Sequence, residues 1–179
     1  FYEFASVEHN PSFGKHCHPN CDCGRFLEVG NSVFMEYQKS DDGRFVPLKQ
    51  RNVDFGGGLE RITAASNDNP DVFESDAFKS IISAFKDRYG WDYVAADADM
   101  KMRMRVVADH VRAAVFLSGD GVIPSNKEEG YILRRLLRRA IFNGYKLAAG
   151  FSNIYPLVDV VIDKYASIYK ELKDKRVAI

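Results

Sequence analysis

Polar and apolar positions mix through residues 26–37, FLEVGNSVFMEY, in a way that suits an extended chain. Phe26, Glu28, Gly30, Ser32 and Phe34 fall on one side, and Leu27, Val29, Asn31, Val33 and Met35 on the other. The period predicts a strand over this stretch, with Glu28 and Asn31 interrupting apolar company so that neither side is simply wet or dry. Asp41, Asp42 and Gly43 then give a turn signal. Arg44–Leu48 begins a second extended segment leading back toward Val53, which predicts an antiparallel pair. At Leu59 the period becomes helical, and residues 76–88 continue as a helix until the Tyr89-Gly90 break.

The second half reads as all-helical. Arg103–Leu117 carries Val106, Val107, Val111, Ala114 and Val115 on one stripe, followed by a Gly/Pro-punctuated loop over Ser118–Pro124. Ser125 and Glu128 have capping-box spacing, so a helix is predicted to start there and to stop at Asn143-Gly144. Pro156 opens a last helix with Leu157, Val161, Tyr165, Ile168 and Leu172 facing inward. The fold class is α+β, an antiparallel sheet followed by helices.

Composition narrows this picture only a little. The chain has 179 residues, and 25 basic side chains balance 25 acidic ones, so local rather than global charge must identify a polyanion partner. No apolar run reaches the roughly 18 residues of a membrane span, and no charged-then-apolar leader precedes the first motif, which predicts a soluble, cytoplasmic protein with no membrane partner. The opening FYEFASVEH lacks an initiator Met and starts in mid-strand, so the chain is expected to belong to something longer.

Candidate chemistry begins at VDFGGGLERI, residues 53–62, where a strand carrying one acid breaks into Gly56, Gly57 and Gly58 and restarts as a helix headed by Glu60 and Arg61. Glycines let backbone lie flat against a base or close to phosphate oxygens. A cation in the first helical turn opposes the macrodipole, so Arg61 is poorly placed for helix stability and well placed to meet a polyphosphate. The competing reading is a Gly-rich turn with a surface Glu and Arg. The stretch matches neither G-x-G-x-x-G nor a Gly-Lys-Ser/Thr loop, which argues against a dinucleotide dehydrogenase or a P-loop ATPase.

All three cysteines, Cys17, Cys21 and Cys23, lie in HCHPNCDCG beside His16 and His18. An odd number so close together is not a disulfide framework. Thiolates with imidazoles nearby are candidate zinc ligands, but the paired C-x-x-C spacing of common structural sites is missing. The expectation is zinc held substoichiometrically or not at all, the alternative being a reduced, idle loop.

In YILRRLLRRA, residues 131–140, Ile132, Leu133, Leu136, Leu137 and Ala140 are predicted to bury one face, leaving Arg134, Arg135, Arg138 and Arg139 on another. Like charges four apart cost a few tenths of a kcal/mol per pair in an isolated helix. Four guanidiniums in six positions therefore favour a phosphate-bearing partner, RNA or DNA, over plain solvent. The alternative is pairing with Asp109, Asp120 and other acids of the same chain.

Taken together and in order, FLEVGNSVFMEY, VDFGGGLERI, VVADHVRAAVFLSGDGVIPSN and GYILRRLLRRAI resemble the alanyl-tRNA synthetase family over most of residues 1–145. The resemblance implies part of a class II antiparallel sheet over residues 1–78 and the start of a helical tRNA-recognition domain over 79–179. It implies an enzyme that joins alanine to ATP, with Mg²⁺, as an adenylate and passes alanine to tRNA(Ala). On that likeness VDFGGGLERI is similar to motif 3. Arg61 corresponds to the arginine at the ATP γ-phosphate, Gly56, Gly57 and Gly58 back the adenine, and Glu28 helps to position ATP and Mg²⁺. Asp54 pairs with the ammonium of alanine, with Gly56 and Asn31 shaping its pocket. Asn126 and Arg138 approach the acceptor stem and its wobble pair, alongside Arg134, Arg135 and Arg139.

The chain departs from the family pattern in two respects. Glu28-Val29-Gly30-Asn31 stands where the family commonly has Glu-Ile-Trp-Asn. Class II motifs 1 and 2 and the editing domain have no counterpart here. Two readings follow: a piece of a full alanine-tRNA ligase, or a free-standing RNA-binding or regulatory module derived from one that makes no adenylate.

Overall fold

A computed structural model describes residues 1–147 and 153–179 of the chain. They form two compact units, Phe1–Ser75 and Asp76–Ile179.

The first unit is built on two small antiparallel pairs. β1 (Tyr2–Glu3) pairs with β2 (Phe26–Leu27), and β3 (Gly30–Lys39) pairs with β4 (Phe45–Gly57). The strand predicted over residues 26–37 is thus split at Glu28-Val29, and its two parts join different sheets. Polar Glu28 sits in the break, where the chain leaves β1 and turns into the hairpin. The return segment predicted from Arg44 is longer than its partner. Tyr37 lies opposite Pro47 while Met35 lies opposite Asn52, so extra residues bulge from β4 between them. At the tip, Gly43 has φ 84° and donates to Ser40, the left-handed position that Asp-Asp-Gly supplies without a Cβ penalty.

Past β4, Gly58 N–H donates to the Val29 carbonyl at 3.0 Å, and its own carbonyl accepts from Ile62 to start α1 (Leu59–Ser66). A 3₁₀ turn, Val72–Glu74, closes the unit and is capped by the Asp71 carboxylate on Phe73 N–H. Little of this unit is buried. Phe4, Cys21, Ala64 and Ser75 are its buried residues, whereas Phe34, Phe45, Val53 and Phe55 on the hairpin are each more than 60% exposed.

The second unit is a helical assembly: α2 (Asp76–Tyr89), α3 (Ala98–Gly119), α4 (Glu128–Leu147), α5 (Pro156–Tyr165) and α6 (Lys170–Asp174). α3 and α4 make its main packed pair, with α5 against α2 and α3. Val107, Val111, Ala114 and Val115 of the predicted stripe are buried, joined by Met104 and Ala108, as are Leu133 and Ala140 of α4 and Leu157, Val161 and Ile162 of α5, the helices that pack on α3. α3 begins five residues earlier than its apolar stripe suggests, because Asp97 caps Met100 N–H at 2.8 Å. The Lys175 ammonium reaches the Gly119 carbonyl at 2.6 Å, fastening α6 to the negative end of α3.

Three helical details differ from the pattern. The capping box does not form: Glu128 has φ 51°, and Ser125 Oγ accepts from Lys127 N–H instead. Nor does α4 stop at Asn143-Gly144. Both residues are buried within it, where Asn143 donates to the Arg139 carbonyl at 2.8 Å. Ile132 is 40% exposed and Ile168 76% exposed, the latter because the chain leaves α5 at Tyr165 before the apolar period is complete. No helix among the described residues is long and apolar enough to cross a membrane.

Candidate functional sites

The hairpin register gathers the small-molecule candidates of the first unit. Asn31 pairs with Gly56 and Val33 with Asp54, so Asn31, Asp54 and Gly56 share one face of β3–β4. A Cβ on Gly56 would lie 3.4 Å from the Asn31 side-chain oxygen, which shows how near that amide comes to the glycine backbone. Arg61, in the first turn of α1, folds back across the glycines. Its Nη1 donates to the Glu28 carbonyl at 2.8 Å, and the guanidinium lies against Gly58, where a Cβ would collide with it. The Glu28 backbone, Gly58 and Arg61 therefore meet at the mouth of the hairpin, where Gly58 follows directly on β4, the strand that carries Asp54 and Gly56.

Gly30 has a steric reason that the sequence does not reveal. A Cβ there would stand 2.9 Å from the Gly56 carbonyl oxygen and 3.0 Å from the Phe55 ring. Phe55 reaches across the pair from β4 and covers the glycine. A tryptophan at position 30, as in the family pattern, has no room while Phe55 is in place.

In the second unit, Arg134, Arg135, Arg138 and Arg139 are all exposed along α4, with Tyr131 and Phe142 bounding the same 390 Å³ groove. Among the described residues none of the four forms an ion pair with a carboxylate. Asp109, named as a candidate partner, instead meets His110 Nδ1 at 3.0 Å. Arg135 lies 5.7 Å from the Tyr131 ring centroid, and Arg134 donates to the side-chain oxygen of Asn126. Asn126 stands just ahead of α4 and is bound to the arginine face by that contact.

The cysteine loop is more organised than its spacing suggests. Cys17, Cys21 and Cys23 are free thiols gathered with His9, a residue not adjacent to the motif, while His16 and His18 lie outside the group and are exposed. The signal for His9 is present as H-x7-C-x3-C-x-C, but the two nearer histidines draw attention from it. A hydrogen bond from His9, helped by the Arg25 backbone N–H, lowers the Cys23 thiol to about 6. Burial, followed by the neighbouring Cys23, pushes Cys17 up to about 11.

Residues 6–179 match the family described as tRNA synthetases class II (A), and the chain belongs to that family. Among its curated relatives are the alanine–tRNA ligases of Petrotoga mobilis, 41% identical over 92% of this chain and 19% of the relative, and of an Anaeromyxobacter species, 42% identical over 89% and 18%. The alanine–tRNA ligase of Treponema denticola is 40% identical over 94% of this chain and 28% of its own length. The chain spans less than a third of each.

Proposed function

We propose that the chain is a working part of an alanine-tRNA ligase, supplying the motif 3 side of the adenylate-forming site and the first helices that meet the tRNA acceptor stem. The observation that carries this reading is the corner where Arg61 returns to the Glu28 backbone beside a strand face that holds Asn31, Asp54 and Gly56 together. Alanine offers an ammonium, a carboxylate and one methyl group. Asp54 holds the ammonium through a charge-assisted contact, Asn31 adds an amide, and Gly56 leaves room for a small substrate.

Adenylate formation breaks the bond between the α- and β-phosphates of ATP as the alanine carboxylate attacks, so negative charge moves toward the departing pyrophosphate. A fixed guanidinium at that end stabilises it, which is the role of Arg61. Gly57 and Gly58 are the backbone we assign to the adenine; in this structure the Phe55 ring lies close to Gly57 and the Arg61 guanidinium lies against Gly58, so Arg61 swings toward the phosphates as the base arrives. The Glu28 carboxylate, on the residue whose backbone carbonyl Arg61 holds, is the hard oxygen donor we assign to Mg²⁺, which usually takes one or two carboxylates together with substrate phosphates. That ion neutralises phosphate charge when bound. The exposed apolar side chains on the β3–β4 hairpin support its membership of a larger sheet, since such a pair alone is marginal in water.

For the helical part, four exposed arginines without carboxylate partners among the described residues support contact with a phosphate backbone, here the acceptor stem of tRNA(Ala). The same observation favours the second reading, an RNA-binding module that makes no adenylate. Purifying the product of the complete reading frame that contains this chain separates the two. Alanine-dependent exchange of pyrophosphate into ATP, followed by charging of tRNA(Ala), supports the ligase. Acceptor-stem binding with no exchange supports the module.

A further inference from the structure

We propose that His9, Cys17, Cys21 and Cys23 form a tetrahedral zinc site that staples the loop ahead of β2. The four ligand atoms lie within 4.8 Å of one another, with Cys17 Sγ 3.6 Å from Cys23 Sγ and Cys21 Sγ 3.8 Å from His9 Nδ1. A zinc ion with Zn–S of about 2.3 Å and Zn–N of about 2.0 Å has tetrahedral ligand separations of about 3.8 Å between sulfurs and about 3.5 Å from sulfur to nitrogen. Both observed distances fall in that range, and 3.6 Å is far beyond the roughly 2.05 Å of a disulfide. So compact a group surrounds one ion. An iron–sulfur cluster, whose cysteines bind different irons, needs its thiols further apart.

Three surrounding features suit a metal centre. His9 Nε2 lies 2.8 Å from the Gly14 carbonyl, so a proton there leaves the Nδ1 lone pair facing the thiols. Metal ligands are commonly oriented by this kind of outer hydrogen bond. Gly24, directly after Cys23, has φ 86° and turns the chain so that the Arg25 N–H faces the Cys23 sulfur. The three sulfurs and one imidazole are also a donor set that zinc takes readily.

A fourth feature is the lack of other local structure. The first unit buries only Phe4, Cys21, Ala64 and Ser75, and among residues 4–25 its regular structure is the single 3₁₀ turn Pro11–Phe13. A loop with so little regular structure of its own is ordered by the ligands that a metal gathers. This staple ends two residues before β2, and Glu28 follows β2 directly, so zinc braces the strand that delivers Glu28 to the proposed nucleotide corner.

The test is made on the full chain, without a histidine tag or chelator, after expression in zinc-supplemented medium. Elemental analysis is expected to give one zinc per chain, released by a mercurial thiol reagent. Replacement by Co²⁺ is expected to produce sulfur-to-cobalt charge-transfer absorption and the intense visible bands of a tetrahedral ion. Cys21→Ser and His9→Ala are expected to lower zinc content well below one per chain, while His16→Ala and His18→Ala keep it. Because Cys21→Ser could fail to fold, the cobalt spectrum of the unmodified chain is the second, independent measure. Three rapidly reacting thiols with no zinc, a Cys17–Cys23 disulfide, a bound iron–sulfur cluster or an octahedral cobalt spectrum each overturn the site. Retention of zinc in His9→Ala with loss in His16→Ala or His18→Ala overturns the ligand assignment.

Discussion

Arg134 hydrogen-bonds through its guanidinium to the side-chain oxygen of Asn126, tying the residue ahead of α4 to the basic face of that helix. The family resemblance implies a division of labour in which Arg134, Arg135 and Arg139 hold phosphate and Asn126 reads the wobble pair, with Arg138 falling in either group. The contact makes Arg134 an exception. Replacing Arg135 or Arg139 by Gln is expected to weaken binding to G·U and G·C acceptor stems alike and to lower the salt slope by about one. Arg134→Gln is expected in addition to narrow the gap between the two stems, as Asn126→Ala does, at a cost of about 1–3 kcal/mol for the specific contact. Binding isotherms on matched stems at several salt concentrations separate these patterns. Equal behaviour of Arg134, Arg135 and Arg139 shows that the Asn126 contact has no part in recognition.

Gly30→Ala is expected to destabilise the first unit by about 1–3 kcal/mol, since its Cβ overlaps a backbone oxygen that cannot swing aside. Removing the ring as well, in Gly30→Ala with Phe55→Ala, is expected to recover only part of the loss because the Gly56 carbonyl remains 2.9 Å away. Hydrogen exchange at the Gly58 amide, which closes the hairpin on Val29, reports the local effect directly. Unchanged protection in Gly30→Ala contradicts this packing.

The hairpin tip supplies a pH dependence. Arg44, then Ser40, hold the Asp42 carboxyl down at about 2 from its ordinary 3.8. A depressed acid contributes its stabilisation fully above its unfolded value and loses it as pH falls through the folded one. Turn order is therefore expected to persist to about pH 4 and to decline toward pH 2, while Asp42→Asn shows a lower, acid-insensitive order. Carboxyl chemical shifts across that range check it, and an ordinary titration of Asp42 contradicts the assigned contacts.

What could be read from the sequence follows from where periodicity is strong. The β3–β4 turn, the α3 stripe and the start of α5 are local signals, and the structure contains each. The split after Leu27 was hidden, because residues 26–37 carry no turn signal at Glu28-Val29 where the chain changes partners. Ile168 and Ile132 were misplaced for a related reason: an apolar period marks a face without saying where the helix ends or how wide its buried stripe is. Position 30 needed the cross-strand register before Phe55 could explain the glycine. His9 was missed because ligands in a looped site are neighbours in space, and His16 and His18 are neighbours only in sequence.

The central claim rests on Asp54 and is tested most directly by the alanine dependence of pyrophosphate exchange in the complete enzyme carrying Asp54→Asn. Hydrogen bonds to charged groups are worth about 1.5–3 kcal/mol, so the alanine KM is expected to rise by about ten- to a hundredfold, with a much smaller change for ATP. An unchanged alanine KM, or an equal rise for ATP, contradicts the assignment of this strand face to alanine.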